Sequence, residues 1–435
     1  MNQWAAQTVF WHIYPLGFCG APLHPQANGD ASPAPRLRRL INWLDYAQSL
    51  GTNGLLLAPI FASQSHGYDS INQFQIDPRL GSDDDFAELV EQASARGLPI
   101  VLDGVFSHVG SEHPWLLESL VTGPDGPHGD LFDIDWHAEG GPRPRVWEGH
   151  NSLVRLNHAS HRAVEYVYNV MTHWLARGVA GWRLDAAYSV APAFWMKVLP
   201  KVREQFPEAF FLGEIIHGDY PRFVTETDVD TVTQYELWKA IWSALKDTNF
   251  WELDAALTRH NGYLDTFIPQ TFVDNHDVTR IASQVGSDKA IAALAILLTI
   301  GGIPSIYYGD EQGFTGVKGE GFGADDALRP EFPDVPPASY FSAEMFHLYC
   351  DLITLRRSRP WLANAKTTKV ALTNPRITYL ATARDNTTDR ADSLEVTINL
   401  DASNTYDPNA PDTASGIAVT IRDSANNVIW EYYRP

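Results

Sequence analysis

Eight short apolar runs, each followed by a segment of helical periodicity, recur between about residues 9 and 359. They read VFWHIYP at 9–15, GLLLAPIF at 54–61, LPIVLDGVF at 98–106 and VAGWRLDAA at 179–187. AFFLGEI at 209–215, a weaker run at 229–235, QTFVDNHD at 270–277 and IPSIYY at 303–308 complete the set. Runs this short, apolar at successive rather than alternate positions, fit strands covered on both faces. Between them lie helix patterns. Leu37, Leu40, Ile41, Leu44 and Ala47 share one face of 36–50; Val164, Val167, Met171, Trp174 and Leu175 share another. Ser82, followed by Asp83, Asp84 and Asp85, suits an N-cap and the positive end of a helix running to Arg96. One long helix is expected over 237–260, a helix apolar all round at 289–300, and an amphipathic one at 343–357.

Strand and helix alternating about eight times predict a closed parallel (β/α)8 barrel, an α/β fold. The alternation lapses from 109 to 155, where Gly, Pro, His and Trp abound without sustained period; an insertion this long in a compact domain is usually functional. From about 361 onward, runs such as RITYLATA and LEVTINL alternate with turn residues and predict a small antiparallel β domain. The expected division is a barrel from 1–108 and 156–360, an inserted subdomain at 109–155 after the third strand, and a C-terminal β domain at 361–435.

Composition narrows the partners. The chain has 435 residues, 53 acidic against 32 basic, and a formal charge of −21. A field of that sign repels nucleic acid and anionic lipid, and leaves a neutral substrate such as a sugar untouched. The first residues, MNQWAAQTVFWHIYP, carry neither a basic stretch nor a long apolar one, so no secretory signal is expected. The apolar run at 290–300 is far short of the roughly 20 residues that span a bilayer. Two cysteines, Cys19 and Cys350, make no disulfide framework. A cytoplasmic location is the expectation, and oligomeric state is left open.

The polar residues sit where such a barrel builds its sites, at the C-terminal ends of the strands. Asp103 and His108 follow the third strand, Arg183 and Asp185 the fourth, Glu214 the fifth, His276 and Asp277 the seventh. Taken alone, Arg183 and Asp185 are more simply a buried ion pair, and one carboxylate is as readily a helix cap. Several carboxylates at neighbouring strand ends, with two histidines and one arginine, make a site the better reading. That set suits glycosidic bond cleavage with retention, which needs one ionised carboxylate and one protonated carboxylic acid. Arg183 is expected to keep Asp185 ionised; burial between Leu212 and Ile215 is expected to raise Glu214 toward a general acid.

DGVFSH at 103–108, GWRLDAA at 181–187, GEI at 213–215 and FVDNHD at 272–277 resemble, in order, the four motif regions of the α-amylase family, glycoside hydrolase family thirteen. WHIYPLGF at 11–18, GLLLAPIF with HGYD over 54–69 and GIPSIYYGDE at 302–311 are similar to its secondary signatures. The resemblance implies Asp185 as nucleophile, Glu214 as acid/base and Asp277 as stabiliser of an oxocarbenium-like sugar. It implies that Arg183 orients Asp185, that His108 and His276 hydrogen-bond sugar hydroxyls, that Tyr68 stacks on the sugar and that Asp103 supports the site.

Three departures matter. Ser107 stands where many members have an asparagine that ligates calcium, so a structural calcium, though possible in this family, is not expected, and no cofactor is required. Tyr188-Ser189 replaces a Lys-His pair of many starch-cleaving members. His217, three residues past Glu214, is similar to the pattern of the neopullulanase and cyclomaltodextrinase branch, whose N-terminal β domain this sequence does not carry. The expected activity is hydrolysis of α-glucosidic bonds in maltooligosaccharides or related α-glucans. The alternatives are transglycosylation or trehalose formation with the same residues, cleavage of α-1,6 bonds, or a non-catalytic carbohydrate-binding relative. Specificity is expected to lie in the loops 17–35, 109–155 and 311–340.

Overall fold

A computed structural model describes residues 3–24, 34–321, 323–337, 342–384, 392–401 and 416–435. Parts of the loops 17–35 and 311–340 therefore lie outside the described residues.

The eight apolar runs form eight parallel strands: β1 (Phe10–Ile13), β2 (Gly54–Leu57), β3 (Ile100–Gly104), β4 (Gly181–Leu184), β5 (Phe210–Gly213), β6 (Thr231–Val232), β7 (Gln270–Thr271) and β8 (Ile303–Tyr307). Each pairs in register with its sequence neighbour from β1 to β6, β8 joins β1 to β7, and a parallel bridge from Thr233 to Gln270 closes the ring. The strands are shorter than the apolar runs because each chain leaves the ladder just where its polar residues begin.

Side chains alternate along these strands, so the two faces have different fates. Trp11, Leu55, Leu57, Leu102, Trp182, Leu184 and Phe211 pack into the large core that includes the helices. Phe10, Leu56, Val101, Phe210, Leu212 and Ile303 form a separate core inside the barrel. Two residues on from these inner positions come His12, Asp103 and Glu214, and Arg183 is the register partner of Asp103. The inner face is thus apolar at one end of the barrel and charged at the other.

Local signals account for the helices. Ser82 caps Asp83–Ala95 through a capping box with Asp85, and Ser160 caps His161–Leu175, whose buried face is the expected one. The helix expected over 237–260 is instead two, Tyr235–Lys246 and Trp251–Tyr263. Between them Thr248 turns left-handed (φ 52°) and the Asn249 side chain accepts from the Trp251 N–H at 3.2 Å. Asp, Thr and Asn compete for backbone hydrogen bonds in this way, while the apolar spacing continues because both helices face the same layer. The segment 36–50 is likewise two helices, Leu37–Asn42 and Leu44–Leu50. Ser287–Thr299 is apolar all round for a reason: it lies against the C-terminal sheet as well as against its neighbouring helices.

That sheet has five antiparallel strands in sequence order, β9 (Lys366–Leu372), β10 (Arg376–Thr382), β11 (Ser393–Asn399), β12 (Ile417–Asp423) and β13 (Val428–Arg434). Between β3 and β4 the chain builds a helix, Pro114–Thr122, and a three-stranded antiparallel sheet of His108–Gly110, His150–Arg155 and Val146–Trp147. A hairpin after β2, Phe61–Ser63 with Ser70–Ile76, carries Tyr68 in its loop. Among the described residues no helix is long and apolar enough to cross a membrane.

Candidate active site

Arg183, 3% exposed, is the hub at the C-terminal ends of β3, β4 and β5. Its Nη1 lies 2.5 Å from Asp103 Oδ2 and 3.1 Å from Asp185 Oδ1, and its Nη2 lies 2.8 Å from Glu214 Oε1. One guanidinium therefore serves three buried carboxyl groups. Three ionised carboxylates there would leave a net charge of −2 out of water, a cost that retained protons relieve. Burial and the neighbouring Glu214 charge push Asp185 well above the usual carboxylate range, with Arg183 opposing them. Burial likewise raises Asp103 against the pull of Arg183. This differs from the expectation that Arg183 keeps Asp185 ionised. The cation is divided, and its shorter contacts are to Asp103 and Glu214.

Three donors converge on Glu214. Besides Arg183, the Ala186 N–H donates to Oε2 at 2.9 Å and the Tyr235 hydroxyl to Oε1 at 3.2 Å; Asn275 Nδ2 donates in turn to the Tyr235 oxygen at 3.0 Å. Ala186 reaches this position only by adopting φ 45°, a left-handed conformation costly to any residue with a Cβ. The strain lies at the residue next to Asp185, and the N–H of that strained residue holds Glu214.

Asp277 is the more open member, its side chain 32% exposed. Arg329 Nη2 lies 3.2 Å from its Oδ1, His276 Nε2 lies 3.1 Å from its Oδ2, and Lys318 donates to its backbone carbonyl at 2.7 Å. Burial works to raise this carboxyl, but His276 and Arg329 outweigh it and hold Asp277 well below the ordinary range. Arg329 also donates to the His276 carbonyl at 3.2 Å and covers the Tyr14 ring at 4.4 Å.

Tyr68 joins the two halves. Its hydroxyl donates to Asp103 Oδ2 at 3.0 Å and hydrogen-bonds with His276 Nε2, and its ring lies parallel to that of His276, centroids 5.4 Å apart. His276 is thus inside the cluster. His108 is placed otherwise than expected. Its Nδ1 is 2.7 Å from Ser107 Oγ and its Nε2 is 3.0 Å from the Tyr68 carbonyl, so both ring nitrogens hold the protein itself rather than facing a ligand. Burial pushes it down to about 4, which keeps the ring neutral. Ser107, which stands where the resemblance puts a calcium ligand in many members, has its hydroxyl engaged with that histidine. His217 is exposed on the loop after β5, its ring 6.3 Å from that of Tyr188, beside the cluster rather than within it.

Asp103 Oδ1 and His276 Nδ1 are buried without a hydrogen-bond partner among the described residues. Sequence reasoning missed Tyr235, Arg329 and Lys318. Tyr235 was legible only as the end of a weak strand, and nothing local distinguishes Arg329 or Lys318 in an irregular loop.

The model of the α-amylase catalytic domain matches residues 24–392. The chain is 30% identical over 386 residues to neopullulanase 2 of Thermoactinomyces vulgaris, covering 81% of this chain and 63% of that protein. It is 31% identical over 337 residues to a cyclomaltodextrinase of Geobacillus thermopakistaniensis, covering 72% and 57%. The chain thus spans about six-tenths of the length of these curated relatives. Among solved structures, cyclic α-maltosyl-(1→6)-maltose hydrolase from Arthrobacter globiformis shares the fold over 100% of both chains, with a TM-score of 0.79 at 23% identity. A debranching enzyme of Nostoc punctiforme aligns over 91% of this chain and 89% of its own, with a TM-score of 0.74 at 26% identity.

Proposed function

The chain belongs to the α-amylase family of glycoside hydrolases, and from that premise we propose that it hydrolyses α-glucosidic bonds of maltooligosaccharides or related α-glucans with retention. The observation that carries the proposal is the sharing of Arg183 by Asp185 and Glu214 at 3.1 and 2.8 Å. Two carboxyls on one cation, with charge in excess, form a pair that holds a proton between them. In the reacting form the proton is on Glu214, which gives it to the departing oxygen while ionised Asp185 attacks the anomeric carbon. Glu214, left ionised, then takes a proton from the water that releases the sugar from Asp185. Asp277, held charged by Arg329 and His276, stabilises the positive charge that develops on the sugar. The relatives named for neopullulanase, cyclomaltodextrinase and cyclic maltosyl-maltose hydrolase activities support a short or cyclic α-glucan substrate.

Product analysis tests the reading. Maltooligosaccharides, cyclodextrins, pullulan, trehalose and sucrose are each incubated with the wild type and with Asp185→Asn. Turnover of at least one by the wild type, with release of the α-anomer and loss in the variant, is expected. No turnover of any of them, or release of the β-anomer, contradicts it. Products longer than the substrate would assign transfer in place of hydrolysis.

A further inference from the structure

The inserted sheet reaches the site through one hairpin. Trp147 and His150 are paired across a two-residue loop, Glu148-Gly149, in which both residues have positive φ, 45° and 82°. That is the mark of a type I′ turn, whose first position favours Asn, Asp or Gly. A glutamate there is held against its backbone preference, and such outliers concentrate where a side chain is needed for something other than the turn.

Its carboxylate has a partner. Tyr188 donates its hydroxyl to Glu148 Oε1 at 3.1 Å, and beside it Trp147 Nε1 donates to Ser189 Oγ at 3.1 Å. Tyr188 is three residues past Asp185, and its N–H donates to the Glu214 carbonyl at 3.3 Å. Trp147 packs on His108 at 4.7 Å between ring centroids, and the exposed His217 faces Tyr188 at 6.3 Å. The tip of the hairpin therefore stands over the strand ends that carry the nucleophile and the acid. Glu148 itself is exposed, with acceptor capacity beyond the one bond from Tyr188.

Tyr188 ties the hairpin to Glu214 through the bond to its carbonyl, and since in a retaining reaction the acid faces the leaving group, a wall on that side borders the sugar that departs or the acceptor that replaces it. We propose that Glu148 is a specificity-determining residue of this cleft. Oriented by Tyr188, its carboxylate accepts hydrogen bonds from hydroxyls of the sugar on the leaving-group side. The inference rests on the glycosidase reading above and deepens it: the enzyme prefers a hydroxylated sugar, not merely a good leaving group, next to the bond it cuts.

The test compares two substrates on wild type, Glu148→Asn and Tyr188→Phe. Maltotriose leaves a sugar behind; 4-nitrophenyl α-maltoside leaves a flat phenolate with no hydroxyl for Glu148 to accept from. Glu148→Asn keeps a residue suited to the left-handed turn and removes the reach and the charge. It should lower kcat/KM on maltotriose about tenfold, the scale of one hydrogen bond to a charged group, and on the nitrophenyl substrate less than about threefold. Tyr188→Phe, which frees the carboxylate but keeps the ring, should change the ratio in the same direction by less. Glu148→Asn should melt no lower than wild type. An unchanged ratio between the two substrates, or a clear drop in melting temperature, overturns the inference and makes Glu148 a structural residue. Failure of the wild type to cleave either of these substrates and every substrate of the product analysis above overturns the glycosidase reading instead, which keeps the two outcomes apart.

Discussion

Two acidic clusters stand at the strand ends of this barrel, each built on one buried arginine, and only one has the makings of a catalytic site. The first is Arg183 with Asp103, Asp185 and Glu214. The second lies between β7 and β8, where Arg280 Nη1 is 2.8 Å from Asp310 Oδ1, Asp274 accepts from the Ile281 N–H at 2.6 Å, and Glu311 accepts from the Tyr46 hydroxyl at 2.9 Å. Burial and mutual repulsion raise Asp310 well above the usual range, as they do Asp185. In composition and charge the two are near twins.

They differ in what surrounds them. Arg280 and Asp310 have side chains at 0% and 1% exposure, and Arg280 is covered by the rings of Tyr307 and Tyr308 and donates to the Leu328 carbonyl. The second cluster is sealed and fastens the segment that carries Asp277 to the end of β8. Around Arg183, the side chains of Asp185 and Glu214 keep 11% and 7% exposure, Asp277 beside them 32%, and the neighbouring backbone is strained at Ala186. Buried carboxyls crowded around one arginine in a sealed site are structure. The same arrangement with one side open is available for chemistry.

The largest effect that would break the comparison is at Asp185. Asp185→Asn should cost activity about 10⁴-fold if it removes the proposed nucleophile. It should also stabilise the fold at neutral pH. The folded carboxyl titrates above its unfolded value of about 3.9, so the unfavourable ionisation is absent below that pH and grows as pH rises through the window above it. The melting-temperature gain of the variant should therefore be present at about pH 7 and vanish by about pH 4. A variant less stable than wild type at neutral pH would mean that the charge of Asp185 is needed to hold Arg183 in place, as in a structural ion pair.

Arg280→Met should do the reverse. Removing one partner of a buried pair costs about 3–5 kcal/mol, read by denaturant titration. kcat per folded molecule should stay within about threefold, a change of under 1 kcal/mol in the barrier. A large loss of kcat in fully folded protein would show that the sealed cluster reaches the chemistry.

A smaller effect sharpens the boundary between the clusters. Arg329→Met removes the guanidinium from Asp277 and should lower kcat about 10- to 100-fold, or ~1.4–2.7 kcal/mol. Because Arg329 helps hold Asp277 below its ordinary range, its loss raises that carboxyl. The acid limb of the kcat profile should then move to higher pH. An unmoved limb would mean that His276 and Arg183 hold Asp277 without help from Arg329.

Much of this was legible in the residues. Successive apolar positions in short runs, with helical spacing between them, are local properties, and they determined eight buried parallel strands and the caps at Ser82 and Ser160. Period two along a strand also determined that Arg183 and Asp185 share a face, since their side chains meet at 3.1 Å. The same local rules misjudged 237–260, because apolar spacing runs on across the break at Thr248 where polar side chains take the backbone hydrogen bonds.

What the pattern could not contain is any quantity that depends on distant neighbours. Asp274 and Asp310 occupy motif segments as Asp185 and Glu214 do, so nothing in the sequence separates a sealed carboxyl from an open one. Charge balance is a sum over the groups around a point: Arg183 had to be seen with three carboxyls before its hold on Asp185 could be judged. Arg329 reaches Asp277 from a loop 52 residues further on, and His108 has its nitrogens taken by Ser107 and Tyr68. Local periodicity therefore settled which strands exist and which residues stand at their ends. Solvent access and the division of charge are set by long-range packing, and only the tertiary structure could decide which of those ends became a site.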